Sequence, residues 1–186
     1  AKSGQITLLF MIDVSGSMDE KDGGSTTRLS RVKTAMTDLL SGNVSKKIDK
    51  IGDDKIIGLS TLGALKWGSV NNSSSSTGAI IVPARALGDK VDGEKTQRQI
   101  LLEQVDKLTA TTATPTGKSY LEGISYMLGN YVSSASEKYS RPETWTKISN
   151  TSYQYNSPTS LTQTNEVQKC SGQGLYMLTD GEPNGG

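Results

Sequence analysis

Three short polar motifs carry the side chains that could do chemistry in this chain. Asp13-Val-Ser-Gly-Ser17 follows an apolar run, Thr114-Pro-Thr-Gly precedes a periodic segment, and Thr179-Asp180-Gly follows a second apolar run. Ligands of open α/β sheets bind beyond the carboxyl ends of the strands, so all three motifs can converge at one edge. Their oxygen donors, with no imidazole or thiolate among them, favour a hard cation such as Mg²⁺ over zinc or copper. A cation would also relieve the repulsion between Asp13 and Asp180.

The elements that must position these motifs alternate between strands and helices. Ile6 to Ile12 is a near-continuous apolar run, which is typical of a strand buried on both faces of a helix-covered parallel sheet. Further strands are predicted at Lys55 to Leu62, at Ala79 to Val82 before Pro83, and at Leu175 to Leu178. The predicted fold class is α/β, with a Rossmann-like, doubly wound, mostly parallel sheet flanked by helices.

Three helices are predicted from apolar residues at helical spacing. The first ends at Gly42, the second begins near Thr96, and the third is ended by Gly129. Their apolar faces are formed, in chain order, by Leu29, Val32, Met36, Leu39 and Leu40, then by Leu101, Val105 and Leu108, then by Leu121, Ile124 and Leu128. Because a doubly wound sheet continues with further strand and helix units, we expect this domain to be truncated at its C-terminus.

The composition narrows the class of protein. A length of 186 residues predicts one domain, residues 1–186. The 20 basic and 19 acidic residues nearly balance, so no nucleic-acid partner is expected, and no apolar run reaches the roughly 18 residues of a membrane span. Histidine is absent from the sequence, which excludes Ser-His-Asp catalysis and His-ligated zinc. The single cysteine, Cys170, is either a buried thiol or half of a bridge to a part outside this chain.

Each motif taken alone has a simpler interpretation. Asp13 to Ser17 could form an ordinary turn, since Asp, Ser and Gly favour turns. Asp180-Gly181 could be a hairpin turn, and Thr114 or Thr116 could be the N-cap of the third helix. Only the combination of the three motifs favours a metal site over these structural interpretations.

Two enzymatic interpretations are disfavoured by the residues. Gly117-Lys118-Ser119 matches the tail of a phosphate-binding loop, but Thr112 occupies the position of its first glycine, and no apolar strand precedes it. A phosphatase-type nucleophile at Asp13 would have a second carboxylate two residues later, where this chain has Ser15. We therefore expect no catalytic activity.

Residues 131–173 differ in character from the rest and are interpreted as an insertion. The segment is rich in Ser, Thr, Asn and Tyr, has no sustained periodicity, and contains five aromatic residues: Tyr131, Tyr139, Trp145, Tyr153 and Tyr155. Long segments of this kind are functional or disordered. One hypothesis makes it an adhesive surface on which Tyr153 and Tyr155 are solvent-accessible. The alternatives are a decoration without a role, or a structural insertion in which Tyr131 extends the third helix and Trp145 packs on the sheet edge.

Taken in order, DxSxS after an apolar strand, TPTG before a helix and TDG after a later strand resemble the metal-ion-dependent adhesion site of von Willebrand factor A (vWA) domains. The resemblance covers residues 6–180. It implies that Ser15, Ser17 and Thr114 ligate Mg²⁺ (or Mn²⁺ or Ca²⁺) through their hydroxyls, and that Asp13 and Asp180 bind directly or through water. It also implies an open coordination position, which an acidic side chain of the partner fills in integrin-type relatives.

Softer features resemble the vWA domain of type IV pilus tip adhesins of the PilC/PilY kind. These features are the MIDVSGSM segment, the TPTGKSYLEGISYMLG helix, the long insertion and a cysteine shortly before the TDG motif. The resemblance implies an extracellular protein of the bacterial surface, at the pilus tip and associated with the outer membrane. It further implies protein or host-surface ligands, pilus subunits contacted through a missing C-terminal region, and roles in attachment and pilus biogenesis. The alternative is an intracellular vWA scaffold of a chelatase- or chaperone-type complex.

Overall fold

The computed structural model describes residues 5–65, 73–74, 77–110, 116–133, 136–158 and 173–178. Three α-helices are present in these residues, α1 (Arg28–Ser41), α2 (Gln97–Asp106) and α3 (Thr116–Leu128), together with 3₁₀ turns at Gly16–Asp19 and Pro142–Thr144. The strands are β1 (Thr7–Asp13), β2 (Ile56–Leu62), β3 (Ala64–Leu65), β4 (Ser73–Ser74), β5 (Ala79–Ala86), β6 (Lys90–Asp92), β7 (Lys95–Thr96), β8 (Trp145–Lys147), β9 (Tyr153–Tyr155) and β10 (Gln173–Leu178).

A four-stranded sheet forms the centre of the fold, in the order β10-β1-β2-β5. β10 and β2 both run parallel to β1, and β5 pairs antiparallel with β2. In this register Asp13 lies opposite Leu62, and Ile12 lies opposite Leu178. The carboxyl ends of β1, β2 and β10 therefore meet at one edge, and the predicted α/β class with a mostly parallel sheet is confirmed.

Helices pack against both faces of this sheet. Successive residues of a strand point to opposite faces, and β1 is buried on both. Phe10 and Ile12 join the core beneath α1 and α2, which we call the α1/α2-side core. Leu9 and Met11 join a second core beneath α3, which we call the α3-side core. The apolar run at the start of the chain thus forms the central strand of a three-layer structure, as its composition predicted.

The predicted end of α1 at Gly42 and the predicted start of α2 near Thr96 are confirmed, whereas Leu108, predicted on α2, lies beyond its end at Asp106. The Thr27 side chain accepts a hydrogen bond from the Ser30 amide at the start of α1, and Gly42 ends the helix with a φ of 77°. Thr96 and Gln99 form a reciprocal capping box at the start of α2. Such caps satisfy amides that have no partner within the helix, which explains why these boundaries could be predicted.

Strand β5 continues past Pro83, so the predicted end at Val82 is wrong. Proline is tolerated because β5 is the last strand of the sheet order and because the β2–β5 pairing is irregular near Leu59. The buried Gln97 side chain spans this irregularity, since its Nε2 donates to the carbonyl oxygens of Ile57 (2.8 Å) and Pro83 (2.7 Å). A side chain of α2 thus replaces ladder hydrogen bonds.

The buried face of α3 is not the one predicted. Leu121 and Leu128 are 62% and 63% exposed, whereas the buried residues of the helix are Ser119, Glu122, Gly123, Tyr126 and Met127. The helix approaches the sheet closely: a Cβ added at Gly123 would lie 3.1 Å from Met11 Cε. Ser119 and Gly123 allow the close approach of α3 to the sheet, and Tyr126 and Met127 supply the large apolar contacts on the same side.

The described part of the insertion is folded, and the prediction that Tyr153 and Tyr155 are largely solvent-accessible is wrong. β8 and β9 form an antiparallel hairpin. Tyr155 is 2% exposed and belongs to the α3-side core, while Tyr153 is half-buried and packs edge-on against Trp145, with ring centroids 5.0 Å apart. Tyr131 does not extend α3, which ends at Leu128. The half-buried Trp145 packs against the α3-side core, so for Trp145 a structural insertion is a better description than an exposed adhesive surface.

Candidate metal centre

Asp13 is the last residue of β1, at the edge where the parallel strands end. It is 8% exposed, and Ser15 is 5% exposed. The Ser15 amide donates a 2.8 Å hydrogen bond to Asp13 Oδ1, which turns the chain directly after the strand. A buried strand thus places the carboxylate, and the carboxylate in turn orients the first serine.

Ser17 lies on the 3₁₀ turn that follows and is exposed to solvent. The next residue, Met18, is buried in the α1/α2-side core, and its amide donates to the Ser15 carbonyl oxygen at 3.0 Å. Anchoring of Met18 therefore holds the turn in place. The hydroxyls of Ser15 and Ser17 are hydrogen-bonded to each other, with their oxygens 3.0 Å apart.

This spacing fits a small divalent cation. Two ligands that bind Mg²⁺ at about 2.1 Å and at right angles are about 3.0 Å apart. The two serine hydroxyls can therefore occupy neighbouring corners of an octahedron beside the Asp13 carboxylate. Within the described ranges no three His, Cys, Asp or Glu residues cluster as a metal site, so the described part of this centre supplies one carboxylate and two hydroxyls.

The other two predicted ligands, Thr114 and Asp180, lie outside the described residues. The elements next to them in the sequence are described. α3 begins at Thr116, and β10 ends at Leu178, opposite Ile12 of β1. Cys170 also lies outside the described residues.

Arginines hold the acidic loop that follows the site. Arg28 Nε donates to Asp22 Oδ2 at 2.8 Å, and Arg31 Nη2 donates to the same oxygen at 2.8 Å. These hydrogen bonds, from Arg28 first and then Arg31, hold the pKa of Asp22 below its usual range. Asp22 has a φ of 49°, which Asp tolerates better than most residues. The Asp22 carboxylate is thus engaged in ion pairs and fixes the path of the loop beside the serines.

The described residues at the start of α3 do not support the interpretation of Gly117-Lys118-Ser119 as part of a phosphate-binding loop. Lys118 is exposed, and the buried Ser119 hydroxyl accepts a 3.2 Å hydrogen bond from the Gly63 amide. Ser119 thereby fastens the first turn of α3 to the residue that follows β2.

A buried polar cluster on α3 escaped the sequence analysis. Tyr155 Oη donates to Glu122 Oε2 at 2.5 Å, and the Ser133 amide donates to Glu122 Oε1 at 3.2 Å. Burial first, and then the neighbouring Glu122 carboxylate, raise the pKa of Tyr155. One sequence feature could have indicated this cluster. Glu122 lies at helical spacing from Ser119 and Tyr126 and therefore on the same side of α3.

Comparisons of the chain with protein-family models, with curated proteins and with solved structures found no match. Among the described residues, no helix has both the length and the apolar character needed to cross a membrane.

Proposed function

We propose that this chain is a vWA domain that binds partners through a metal ion held at the carboxyl edge of its sheet. The observation that carries the proposal is the pair of hydroxyls, Ser15 and Ser17, 3.0 Å apart beside the buried Asp13 at the end of the central strand. Strand order, helices on both faces and the sequence order of the three motifs support the same assignment.

The chemistry of the proposed site follows from its ligand set. Asp13, Ser15 and Ser17 hold Mg²⁺, with Mn²⁺ or Ca²⁺ as substitutes, and Thr114 and Asp180 complete the set. Three of the five ligands are neutral hydroxyls, and the two aspartates only balance the charge of the cation, so a further carboxylate can still bind at an open coordination position. When bound, the cation offers an open position to an acidic side chain of the partner. The role is binding, without catalysis.

We further propose that this module belongs to a type IV pilus tip adhesin on the bacterial surface, where it serves attachment and pilus biogenesis. The sequence features that support this assignment are the MIDVSGSM and TPTGKSYLEGISYMLG segments and the long insertion between α3 and β10. Its partners would be a protein or host-surface ligand at the metal edge, and pilus subunits elsewhere.

Calorimetric titration with Mg²⁺ tests the metal site. We expect the wild-type chain to bind one ion, Asp13→Ala to abolish binding, and Ser17→Ala to weaken it by about tenfold, or about 1.4 kcal/mol. Ser41→Ala, an exposed serine at the end of α1, is the matched control and should bind as wild type. Full affinity in Asp13→Ala would overturn the assignment.

Attachment of the purified chain to cultured epithelial cells tests the proposed role. Attachment should require Mg²⁺, disappear with EDTA and fail in Asp13→Ala at any Mg²⁺ concentration. Equal attachment with and without EDTA would place recognition outside the metal centre.

A further inference from the structure

Helix α3 has a second apolar side that is exposed to solvent. Tyr120, Leu121 and Leu128 are 40%, 62% and 63% exposed, and Ile124 lies partly exposed between them. At about 100° per residue, these four side chains span about 100° of the helix surface, directly beside the side that is buried against the sheet. An apolar stripe of this width is typical of a helix face that packs against another element. We call this side the outer face of α3 and expect it to be a contact surface.

Two grooves border the outer face. One, of about 330 Å³, lies between α3 and β10, where Gly174 and Leu175 form the opposite wall. The other, of about 560 Å³, lies between Leu128 and the β8–β9 hairpin, where Ile148 is exposed. Leu128 lines both grooves and therefore lies between them. The outer face thus presents a ridge of side chains with a groove on each side, which is the shape that lets two helices pack ridge into groove.

The charges on α3 favour a second copy of the same chain as the occupant of this face. Lys118 is the only exposed charged residue of the helix, since Glu122 is buried. If two α3 helices pack antiparallel about Ile124, their Lys118 residues lie about 18 Å apart along the axis at 1.5 Å per residue. This separation is about twice the Debye length at physiological salt, so the two lysines hardly repel each other. The formal net charge of +1 also gives little general repulsion between copies.

The outer face is complementary to itself in shape and sufficient in area. Tyr120, Ile124 and Leu128 form one row centred on Ile124, and a two-fold axis there sets the row of each copy against a groove of the other. The exposed apolar side chains amount to about 400 Å² per copy, if a fully exposed large side chain has about 150–200 Å². Because a little over half of an interface is apolar, two such faces correspond to about 1,400 Å² of buried surface, within the range of specific complexes.

We propose that this chain forms a two-fold dimer in which the outer faces of two α3 helices pack antiparallel. The proposed metal ion takes no part in the dimer, so the two proposals can fail independently. Ser119 fastens the start of α3 to Gly63, the residue that follows β2. Antiparallel pairing therefore directs the carboxyl edges of the two sheets away from each other, and the dimer presents them on opposite sides.

Sedimentation velocity of the 186-residue chain tests the dimer. We expect a monomer–dimer equilibrium with a Kd on the order of 10 μM, as for a small interface between apolar faces. Leu121→Glu places two like charges in this interface and should raise the Kd about a hundredfold or more. Because Leu121 is exposed in the monomer, the melting temperature of the dilute variant should stay within about 2 °C of the wild-type value. Association should be equal with Mg²⁺ and with EDTA.

Two exposed apolar residues elsewhere provide matched controls. Val44→Glu changes a 96% exposed valine in the loop after α1. Tyr176→Glu changes an exposed ring on the opposite face of β10, where it packs edge-on against Phe10. Both variants should dimerise with the wild-type Kd, because neither residue lies on the outer face of α3.

A mixture of two variants tests the antiparallel arrangement. Leu121 of one copy approaches Leu128 of the other when the helices are antiparallel about Ile124. Leu128→Lys should be monomeric alone, yet should pair with Leu121→Glu with a Kd within about tenfold of the wild-type value, because opposite charges then meet. Failure of the mixture to associate would contradict the antiparallel arrangement. A wild-type chain that stays monomeric would overturn the dimer and assign the outer face to another occupant. A dimer that survives Leu121→Glu, or one that is lost in Val44→Glu or Tyr176→Glu, would overturn the proposal as well.

Discussion

Each described oxygen donor at the proposed centre is set by a different backbone feature. Asp13 is held at the end of the buried strand β1. Ser15 is held by the hydrogen bond from its backbone amide to the Asp13 carboxylate, and Ser17 lies on a turn that the buried Met18 anchors. Preorganised ligands lose little conformational freedom on binding, so the affinity of the cation depends mainly on the ligands themselves. At this scale the important residues are small and polar, and each is held by an apolar neighbour.

Two buried tyrosines should make the protein sensitive to alkali. Burial raises the pKa of Tyr126 to about 12, and that of Tyr155 is raised further by burial and by Glu122. An unfolded tyrosine titrates near about pH 10. Below that pH both tyrosines are protonated in the folded and unfolded states, and their contribution to the free energy of unfolding is fully present. Above it the unfolded chain releases protons that the folded chain keeps, so the free energy of unfolding should fall, by up to about 1.4 kcal/mol per pH unit for each tyrosine.

Urea unfolding between pH 8 and pH 11.5 measures this effect. The double variant Tyr126→Phe/Tyr155→Phe should be less stable at pH 8, yet should lose less stability above pH 10 than the wild type. The two proteins differ only at these two tyrosines, so the comparison isolates their contribution. Parallel pH profiles for the two proteins would contradict the prediction.

At the scale of elements, prediction succeeded where local signals and packing agree. The apolar run of β1 and the capping residues of α1 and α2 are local signals that indicate a strand and helix ends without reference to the rest of the fold. In α3 the leucines predicted the wrong buried face, since Tyr126 and Met127 are buried instead, on the side where Gly123 lets the helix approach the sheet closely. In the insertion, Tyr155 lacks any periodic neighbour that would indicate burial, since its partner Glu122 is 33 residues away. Pairings at such distances depend on the tertiary fold and leave no local pattern.

The candidate site divides in the same way. Asp13, Ser15 and Ser17 are close in sequence and follow one strand, so their proximity could be predicted, while their role as metal ligands stays a prediction. The buried hydrogen bond between Tyr155 and Glu122 joins distant segments and was not predicted. Thr114 and Asp180 stay predictions.

The hydrogen bonds from Gln97 of α2 to the irregular β2–β5 pairing lead to a prediction about an element of the fold. Gln97→Leu keeps the approximate volume but leaves the carbonyl oxygens of Ile57 and Pro83 without its two hydrogen bonds. A buried polar group without a partner costs about 1–3 kcal/mol, so we expect about 2–4 kcal/mol of lost stability in urea unfolding. Gln104→Leu, a partly exposed position on the same helix, is the matched control and should change stability by less than about 0.5 kcal/mol. Equal effects of the two substitutions would show that the Gln97 bridge contributes nothing.

At the scale of the whole molecule, the sheet brings distant parts of the chain to one edge. β1, β2 and β10 run in the same direction, although β10 begins 160 residues after β1 ends. α1 and α2 cover one face, and α3 with the insertion covers the other. An ion held by Asp13, Thr114 and Asp180 would therefore cross-link the start, middle and end of the chain, and its binding would oppose unfolding of the whole domain.

That linkage gives the last prediction, a melting temperature that depends on Mg²⁺. A ligand that binds only the folded state at 100 times its Kd stabilises it by about 2.7 kcal/mol. For a domain of this size that corresponds to a rise of about 5–10 °C, which should grow with the logarithm of Mg²⁺ concentration and be reversed by EDTA. Asp13→Ala is the control, since its melting curve should not respond to Mg²⁺. An unresponsive wild-type curve would show that Asp13, Thr114 and Asp180 do not join the three parts of the chain through a cation.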